Sequence, residues 1–286
     1  MITIKNLTFR YPKAKVDVLN NINFNINKGE IFGFLGPSGA GKSTIQKIMI
    51  GLLKEFTGDV KVLGKPIQNW NRDLYQHIGI QPELPNHFKK LTARENLNYF
   101  ATLYKKGEPI YSAEELLAKV NLLDAADLKI SEFSKGMKQR LSLARALIHK
   151  PEVLFLDEPT SGLDPVSSQM VKDILFELKQ NGSTIIMNTH NMAIADQVCD
   201  RVAFIVDGHV STIEKPHELK IKHGSAALIV EYVNEHEIKF EEFSMVGLSD
   251  NTKFQTILKD LEVRTLHSRE ASLEDVFIKL TGRTLV

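Results

Sequence analysis

The stretch Gly36-Pro37-Ser38-Gly39-Ala40-Gly41-Lys42-Ser43-Thr44 fits the phosphate-binding pattern G-x-x-x-x-G-K-[ST] at every fixed position. Glycines at 36, 39 and 41 let the backbone curl so that successive N–H groups point inward at phosphate oxygens, and a helix starting near Lys42 adds the positive end of its dipole. Lys42 is expected to reach the β- and γ-phosphates, Ser43 to offer a hydroxyl to Mg²⁺, and Thr44 to contact the α-phosphate side. A second constellation closes the apolar run Val153-Leu154-Phe155-Leu156, which ends in the acidic pair Asp157-Glu158. Such a run reads as a buried parallel strand, and α/β folds place ligands at the C-terminal ends of parallel strands. Asp157 is expected to hold Mg²⁺, directly or through water, and Glu158 to orient and polarise the attacking water. An acidic pair closing a strand is often only a turn; the phosphate loop upstream is what favours the catalytic reading. Thr184-Ile185-Ile186-Met187 reads as another buried strand, and it delivers Asn188-Thr189-His190 to the same sheet edge, with His190 within reach of a γ-phosphate.

Two further candidates stay open on residue type alone. Tyr11 precedes the loop and reads either as a stacking platform for adenine or as a structural residue of the Tyr11-Pro12 turn. Ser134 precedes a helical run and reads either as an ordinary N-cap or, with Lys135-Gly136, as a donor of hydroxyl and backbone N–H groups to an anion.

These residues need a sheet and helices to hold them. Ile2 to Phe9 and Val18 to Ile26 alternate apolar and polar residues, as two strands of an antiparallel layer would, and Ile31 to Leu35 is the short strand that enters the phosphate loop. Ile45, Ile48, Met49 and Leu52 recur at helical spacing after it, and Gly58 to Leu63 and His77 to Ile80 read as strands. From Thr92 to Tyr104 and from Ala113 to Leu123 the period becomes helical, and Thr92 with Glu95 has the form of a capping box. The block 83–129 therefore interrupts the sheet, and with the helix Met137 to His149 it makes a helical subdomain over about 83–150. Val166 to Gln180 and Met192 to Cys199 read as helices, Arg201 to Val206 and His209 to Ile213 as strands joined by Asp207-Gly208, and His217 to Ile221 as a short helix. The boundary falls in Lys222-His223-Gly224-Ser225, giving one domain over 1–223 and an accessory domain over 224–286. In the latter, Ala227 to Val233 and Val263 to Leu266 read as strands, and Thr252 to Leu261 and Ser272 to Thr281 as helices. The fold class is α/β: a P-loop NTPase core with an antiparallel β layer and an inserted helical subdomain, plus a small α+β C-terminal appendage.

Composition narrows the classes of function. With 36 basic against 35 acidic residues, and Lys89-Lys90 and Lys105-Lys106 as the tight basic pairs between the two motifs, the chain has no nucleic-acid footprint. No run approaches the roughly 18 apolar residues of a spanning helix. The N-terminus lacks the pattern of a signal peptide, so the chain is expected on the cytoplasmic side. The single cysteine, Cys199, reads as a small core residue, and His209, His217, His223 and His236 as surface or loop residues without metal-ligand spacing.

The ordered set Gly36 to Thr44, Phe133-Ser134-Lys135-Gly136-Met137-Lys138-Gln139-Arg140, Leu154 to Pro159, Ser161-Gly162-Leu163-Asp164 and His190 resembles the ATP-binding subunits of ABC transporters across nearly the whole chain. The C-terminal segment Leu273 to Arg283 is similar to the tail of the drug, antibiotic and sodium exporter ATPases of that family. The resemblance implies ATP and Mg²⁺ as cofactors, Tyr11 stacked on adenine, Ser134 and Gly136 as the signature-loop contacts, Glu158 as catalytic base and His190 as γ-phosphate switch. The family's common Leu-Ser-Gly-Gly-Gln reads Phe133-Ser134-Lys135-Gly136-Met137 here, which keeps the serine and the second glycine. The glutamine that senses Mg²⁺ and the membrane partner falls on Gln81 or Glu83. The resemblance further implies a head-to-tail homodimer (or pairing with a related chain) that closes over ATP, a transmembrane permease docked on the block 83–129, and a place on the cytoplasmic face of the membrane. The rival readings are an ABC-type ATPase acting on nucleic acid or ribosomes, which would bring a coiled-coil insert or a second ATPase domain, and a subunit that signals resistance without transport.

Overall fold

The computed structural model of the chain describes residues 1–105, 110–224 and 227–283. Lys106 and Ser225, named above, lie outside the described residues. The chain forms two compact units, one running from Met1 to Ile213 and a second that starts at Glu214.

In the first unit, period-two patterning yields strands buried on one side. β1 (Ile2–Phe9) and β2 (Leu19–Ile26) pair antiparallel and bury Ile4, Leu7, Ile22 and Phe24 among others. With β4 (Thr57–Val62) and the short β5 (Lys65–Pro66) they form a layer in the order β2-β1-β4-β5. Largely apolar runs form the inner strands of the second sheet instead. β3 (Ile31–Leu35), β6 (Ile78–Gln81), β7 (Val153–Asp157), β8 (Thr184–Thr189), β9 (Arg201–Val206) and β10 (His209–Glu214) lie in the order β10-β9-β3-β8-β7-β6. The pairs β3/β8, β3/β9, β7/β8 and β6/β7 are parallel, and every residue of β3 and β8 is buried, as strands covered on both faces must be. Helix α1 (Lys42–Met49) puts Ile45, Ile48 and Met49 into the core that the two sheets share. Phe24, Phe32 and Phe34 meet there with ring centroids 5.2 to 5.8 Å apart.

The interruption of the sheet is helical, as read. α2 (Ala93–Ala101), α3 (Ala113–Lys119) and α4 (Lys135–Leu147) pack on one another. The capping box is formed: Thr92 Oγ1 accepts from Glu95 N at 3.2 Å and Glu95 Oε2 from Thr92 N at 2.8 Å. Ser112 and Glu115 build a second one at the start of α3. After β7, α5 (Pro165–Gln180) is capped by Asp164 and packs on β8, and α6 (Met192–Val198) packs on β3.

The second unit holds α7 (Pro216–His223), β11 (Ala227–Asn234), β12 (Glu237–Ser244), α8 (Thr252–Asp260), β13 (Glu262–Arg269) and α9 (Leu273–Thr281). Its antiparallel sheet runs β12-β11-β13 over a core of Val230, Tyr232, Phe243 and Ile257. The units divide ten residues ahead of the glycine-serine stretch, because α7 packs with α9 and so belongs with the second unit. β12 was not among the expected strands. Its apolar Ile238 and Phe240 face outward, at 50% and 69% exposure, while Glu241 points to Tyr232 and Lys253, which inverts the usual pattern.

Candidate active site

The loop from Leu35 to Lys42 has a shape that only glycine allows at two points. Gly36 has φ 152° and a Cβ there would lie 2.1 Å from Ile205 O; Gly41 has φ 113° and its Cβ would lie 2.7 Å from Leu19 Cδ2. The loop is tied down by Gly208, whose N–H donates to Ala40 O at 3.1 Å while its carbonyl accepts from Asn20 N at 2.9 Å. Lys42 Nζ donates to Gly36 O at 2.6 Å and Pro37 O at 2.9 Å, so the ammonium sits in the mouth of the curl. Burial lowers its pKa, and the carboxylates of Glu158, Asp157 and Glu83 act in the opposite sense.

Strand register brings the other motifs to the same edge: Leu35 lies beside Thr189, Asn188 beside Asp157, and Leu156 beside Gln81. One pocket results, lined by Ser38, Gly39, Gly41, Lys42, Ser43, Thr44, Glu83, Asp157, Glu158 and His190. Gly36, Pro37 and Ala40 shape the loop without lining that pocket. Ser43 Oγ donates to Asp157 Oδ2 at 3.5 Å. Burial raises the Asp157 carboxyl above the usual range and the nearby Glu83 and Glu158 charges push the same way, against the Asn188 amide and the Lys42 ammonium. The Asp157 carboxylate with the Ser43 hydroxyl beside it, in a pocket also lined by Glu83 and Glu158, offers oxygen donors of the kind that suit a hard divalent cation such as Mg²⁺. Among the described residues no three His, Cys, Asp or Glu side chains could hold a metal by themselves, so phosphate and water oxygens would complete the shell.

Glu158 is the most constrained member. Its backbone is left-handed, with φ 49°, a conformation disfavoured for a residue with a side chain. Its N–H donates to Asn188 O at 2.9 Å. Its carboxylate, 12% exposed, accepts from Thr189 Oγ1 at 3.1 Å, His190 N at 2.9 Å and His190 Nδ1 at 2.7 Å. A carboxylate held by three donors has one orientation and still keeps lone pairs for a water proton.

Besides Gly36, Pro37 and Ala40, four expected site residues outside the loop lie away from the pocket lining. Gln81 is fully buried at the end of β6, its Nε2 donating to Gln139 O at 3.5 Å, and Glu83 two residues on is the one that lines the pocket. Tyr11 is half-buried, edge-on to Phe9 at 4.9 Å, and its hydroxyl bonds Thr44 Oγ1 at 3.2 Å, so the ring is tethered to the loop helix. Ser134 is exposed and caps α4 by accepting from Met137 N at 3.1 Å; neither it nor Gly136 lines the pocket. Conversely, Asn188, Gln46, Thr189 and Gln139 touch the site machinery without having been assigned a role. Asn188 and Thr189 follow the apolar run Ile185-Ile186-Met187, which is their one signal in the sequence, whereas Gln46 beside Lys47 and Gln139 between Lys138 and Arg140 carry none. Cys199 is buried against Gly33, and burial raises its thiol pKa, as a core residue's would be.

Residues 19–161 match the ABC transporter family, and residues 227–270 match the fluoroquinolone efflux ABC transporter C-terminal domain. The chain is 49% identical over 288 residues to the fluoroquinolones export ATP-binding protein of Mycobacterium tuberculosis (strain ATCC 25618 / H37Rv), covering 100% of this chain and 94% of that one. It is 36% identical over 284 residues to the Nod factor export ATP-binding protein I of Rhizobium meliloti (strain 1021), covering 94% of this chain and 84% of that one. Among solved structures it is similar to a dimeric ATP-binding cassette in a post-hydrolysis state bound to ADP and Pi, with TM-score 0.69, 30% identity, and 75% of this chain and 98% of that one covered.

Proposed function

The chain belongs to the ABC transporter family of ATP-binding domains, and from that premise we propose that it is the ATPase subunit that powers export of a fluoroquinolone-class drug through a transmembrane permease. One observation carries the chemistry: Lys42, Ser43, Asp157, Glu158 and His190 converge on a single pocket, with the Glu158 carboxylate held by His190.

The loop N–H groups and Lys42 would take the β- and γ-phosphates, the ammonium exchanging its carbonyl partners Gly36 O and Pro37 O for phosphate oxygens. Mg²⁺, held by Ser43 and Asp157, would supply charge neutralisation at the phosphate oxygens. Glu158 takes a proton from the attacking water as the water oxygen bonds the γ-phosphorus and the β–γ bridging bond breaks, leaving ADP and phosphate. Thr189 and His190 keep that carboxylate aimed. Because His190 meets Glu158 through Nδ1, its Nε2 is the nitrogen available to the γ-phosphate.

Ser134 and Gly136 would act across a dimer. That neither lines the pocket of its own chain supports this, as does the dimeric state of the similar cassette. The permease would dock on the apolar hollow lined by Phe88, Lys89, Lys90, Leu91 and Tyr99, in the block read as a docking surface. No helix among the described residues is long and apolar enough to cross a membrane, so the permease would hold the chain at the cytoplasmic face. The cargo class rests on the M. tuberculosis relative and on the match of residues 227–270.

Glu158→Gln is expected to bind ATP as the parent does and to lower turnover roughly 10²- to 10⁴-fold, the range for a positioned general base; near-normal hydrolysis would remove Glu158 from the mechanism. Lys42→Ala is expected to lose nucleotide affinity itself. In cells, co-purification of Glu158→Gln with ATP should bring down a polytopic membrane protein. Expression with that protein should raise fluoroquinolone resistance for the parent and not for Glu158→Gln.

A further inference from the structure

Behind the acidic pair stand two buried amides that belong to none of the motifs. Asn188, fully buried, lies on β8 between Phe34 of β3 and Asp157 of β7. Both protons of its side-chain amide are committed, one to Asp157 Oδ1 at 3.4 Å and the other to Gln46 Oε1. Its backbone carbonyl accepts from Glu158 N at 2.9 Å, so one residue touches both carboxylate-bearing positions. Gln46, 5% exposed, sits on α1 one turn beyond Ser43. A chain of amides thus links the helix that carries the Ser43 hydroxyl to the strand that carries Asp157.

Packing alone does not explain these residues. Asn188 follows Ile185, Ile186 and Met187 in a fully buried strand, where an apolar side chain would fill the space without a desolvation cost. Asn188 Oδ1 has no hydrogen-bond partner among the described residues, which is destabilising by itself. What the amide provides is direction. With Oδ1 pinned, Asp157 turns Oδ2 toward Ser43 Oγ, 3.5 Å away, and those two oxygens face the same space.

We propose that Asn188 is a positioning residue for the divalent-cation site: braced by Gln46, its amide locks the Asp157 carboxylate so that Oδ2 and the Ser43 hydroxyl present a preformed pair of ligands to Mg²⁺. The inference rests on the Mg²⁺-nucleotide reading of the pocket given above. Partners that orient a metal ligand in this way change metal affinity by roughly 10- to 100-fold when removed.

The test uses Mn²⁺ as a paramagnetic stand-in for Mg²⁺, with the full chain saturated with ADP. Asn188→Leu should weaken Mn²⁺ binding by roughly 10-fold, by electron paramagnetic resonance titration, while ADP affinity measured in EDTA stays within about twofold of the parent. Gln46→Leu should have a smaller effect in the same direction, and Gln46→Leu/Asn188→Leu should match Asn188→Leu, because Gln46 acts only through Asn188. The double variant also removes both amides together, leaving neither orphaned. If a leucine variant does not fold, Asn188→Ser carries the same measurement without adding apolar volume. Unchanged Mn²⁺ affinity in folded Asn188 variants overturns the proposal, as does a fall in ADP affinity in EDTA equal to the fall in Mn²⁺ affinity, which would mark a general loosening. If the parent chain binds no Mn²⁺ with ADP, the nucleotide-site reading itself has failed.

Discussion

His87 and His149 sit below the surface, each with Nε2 on a backbone carbonyl, Lys138 O and Ile78 O, both at 3.0 Å. A neutral ring satisfies that bond by donating from Nε2, whereas a charged ring would bury a second N–H at Nδ1 with no partner among the described residues. Burial accordingly holds each pKa down to about 4. The carbonyl bonds work against it, while the charges of Arg145 and Lys138 on His87, and of His77 on His149, work with it. The ordinary value is 6.5, so the unfolded chain takes up these protons first as pH falls. Their stabilisation is complete above about pH 6.5 and is lost as the pH falls toward 4, at no more than about 1.4 kcal/mol per pH unit for each ring. Urea midpoints measured between pH 7 and pH 4.5 should drop steadily, and His87→Gln/His149→Gln should flatten that slope; a parent curve already flat across the window would contradict it. Neither ring could be picked out beforehand: His87 lies between the exposed residues Asn86 and Phe88 in the sequence and His149 beside the exposed Lys150, and their burial comes from the fold.

Helix α4 acts on the site at one remove. Gln139 Nε2 donates to Glu158 O at 3.1 Å, and Gln139 O accepts from Gln81 Nε2. Six residues further along α4, Arg145 Nη1 donates to Asn86 O at 2.5 Å. The helix therefore grips both the left-handed backbone of the candidate base and the segment after β6 that carries Glu83 to the pocket. Ser161 N also donates to Glu158 O, so losing the Gln139 amide removes one of two bonds rather than orphaning the carbonyl. Gln139→Leu should destabilise the chain by about 1 kcal/mol, the usual worth of one such bond, and lower kcat for ATP hydrolysis more than it changes KM. Equal effects on both parameters would show that the amide does not act through Glu158. Elements of this kind explain what could be read in advance. The strands that deliver Asp157 and His190 were legible because apolar runs too short for a buried helix and closed by polar residues suit the interior of a parallel sheet. The clamp around Glu158 was not, because its donors come from residues 189, 190 and 139 and no local pattern joins them. For the same reason counting could not choose between Gln81 and Glu83, whereas the fold buries one and turns the other to the pocket. β12 escaped because its apolar residues fall on both faces, Ile238 and Phe240 outward and Phe243 inward, with Glu241-Glu242 breaking the alternation between them.

At the scale of the whole molecule, Gly136 shows what a single chain leaves unexplained. It lies in the first turn of α4 with no positive φ, and the nearest atoms to a Cβ there would be Leu163 Cδ2 at 3.5 Å, Gly162 O at 3.6 Å and Ser134 Oγ at 3.9 Å, ordinary contacts. Within this chain alanine fits, and it would favour the helix by up to about 1 kcal/mol. Ser134 beside it is exposed at the helix N-terminus, where its hydroxyl accepts from Met137 N. On the proposed function, a glycine there would let the phosphates held by a second copy come close, which neither backbone conformation nor packing in this chain asks of it. That reasoning separates folding from pairing. Gly136→Ala should unfold at the same or higher urea concentration than the parent and bind ATP equally well, since the residue does not line its own pocket. In the Glu158→Gln background, where hydrolysis cannot dissolve the pair, adding ATP should shift the chain from monomer to dimer in size-exclusion chromatography, and adding Gly136→Ala should weaken that shift. If the alanine chain dimerises with ATP as well as its glycine parent, the signature loop does not meet nucleotide across an interface. If it instead loses ATP binding as a monomer, Gly136 belongs to the chain's own site, and the pocket described here is incomplete.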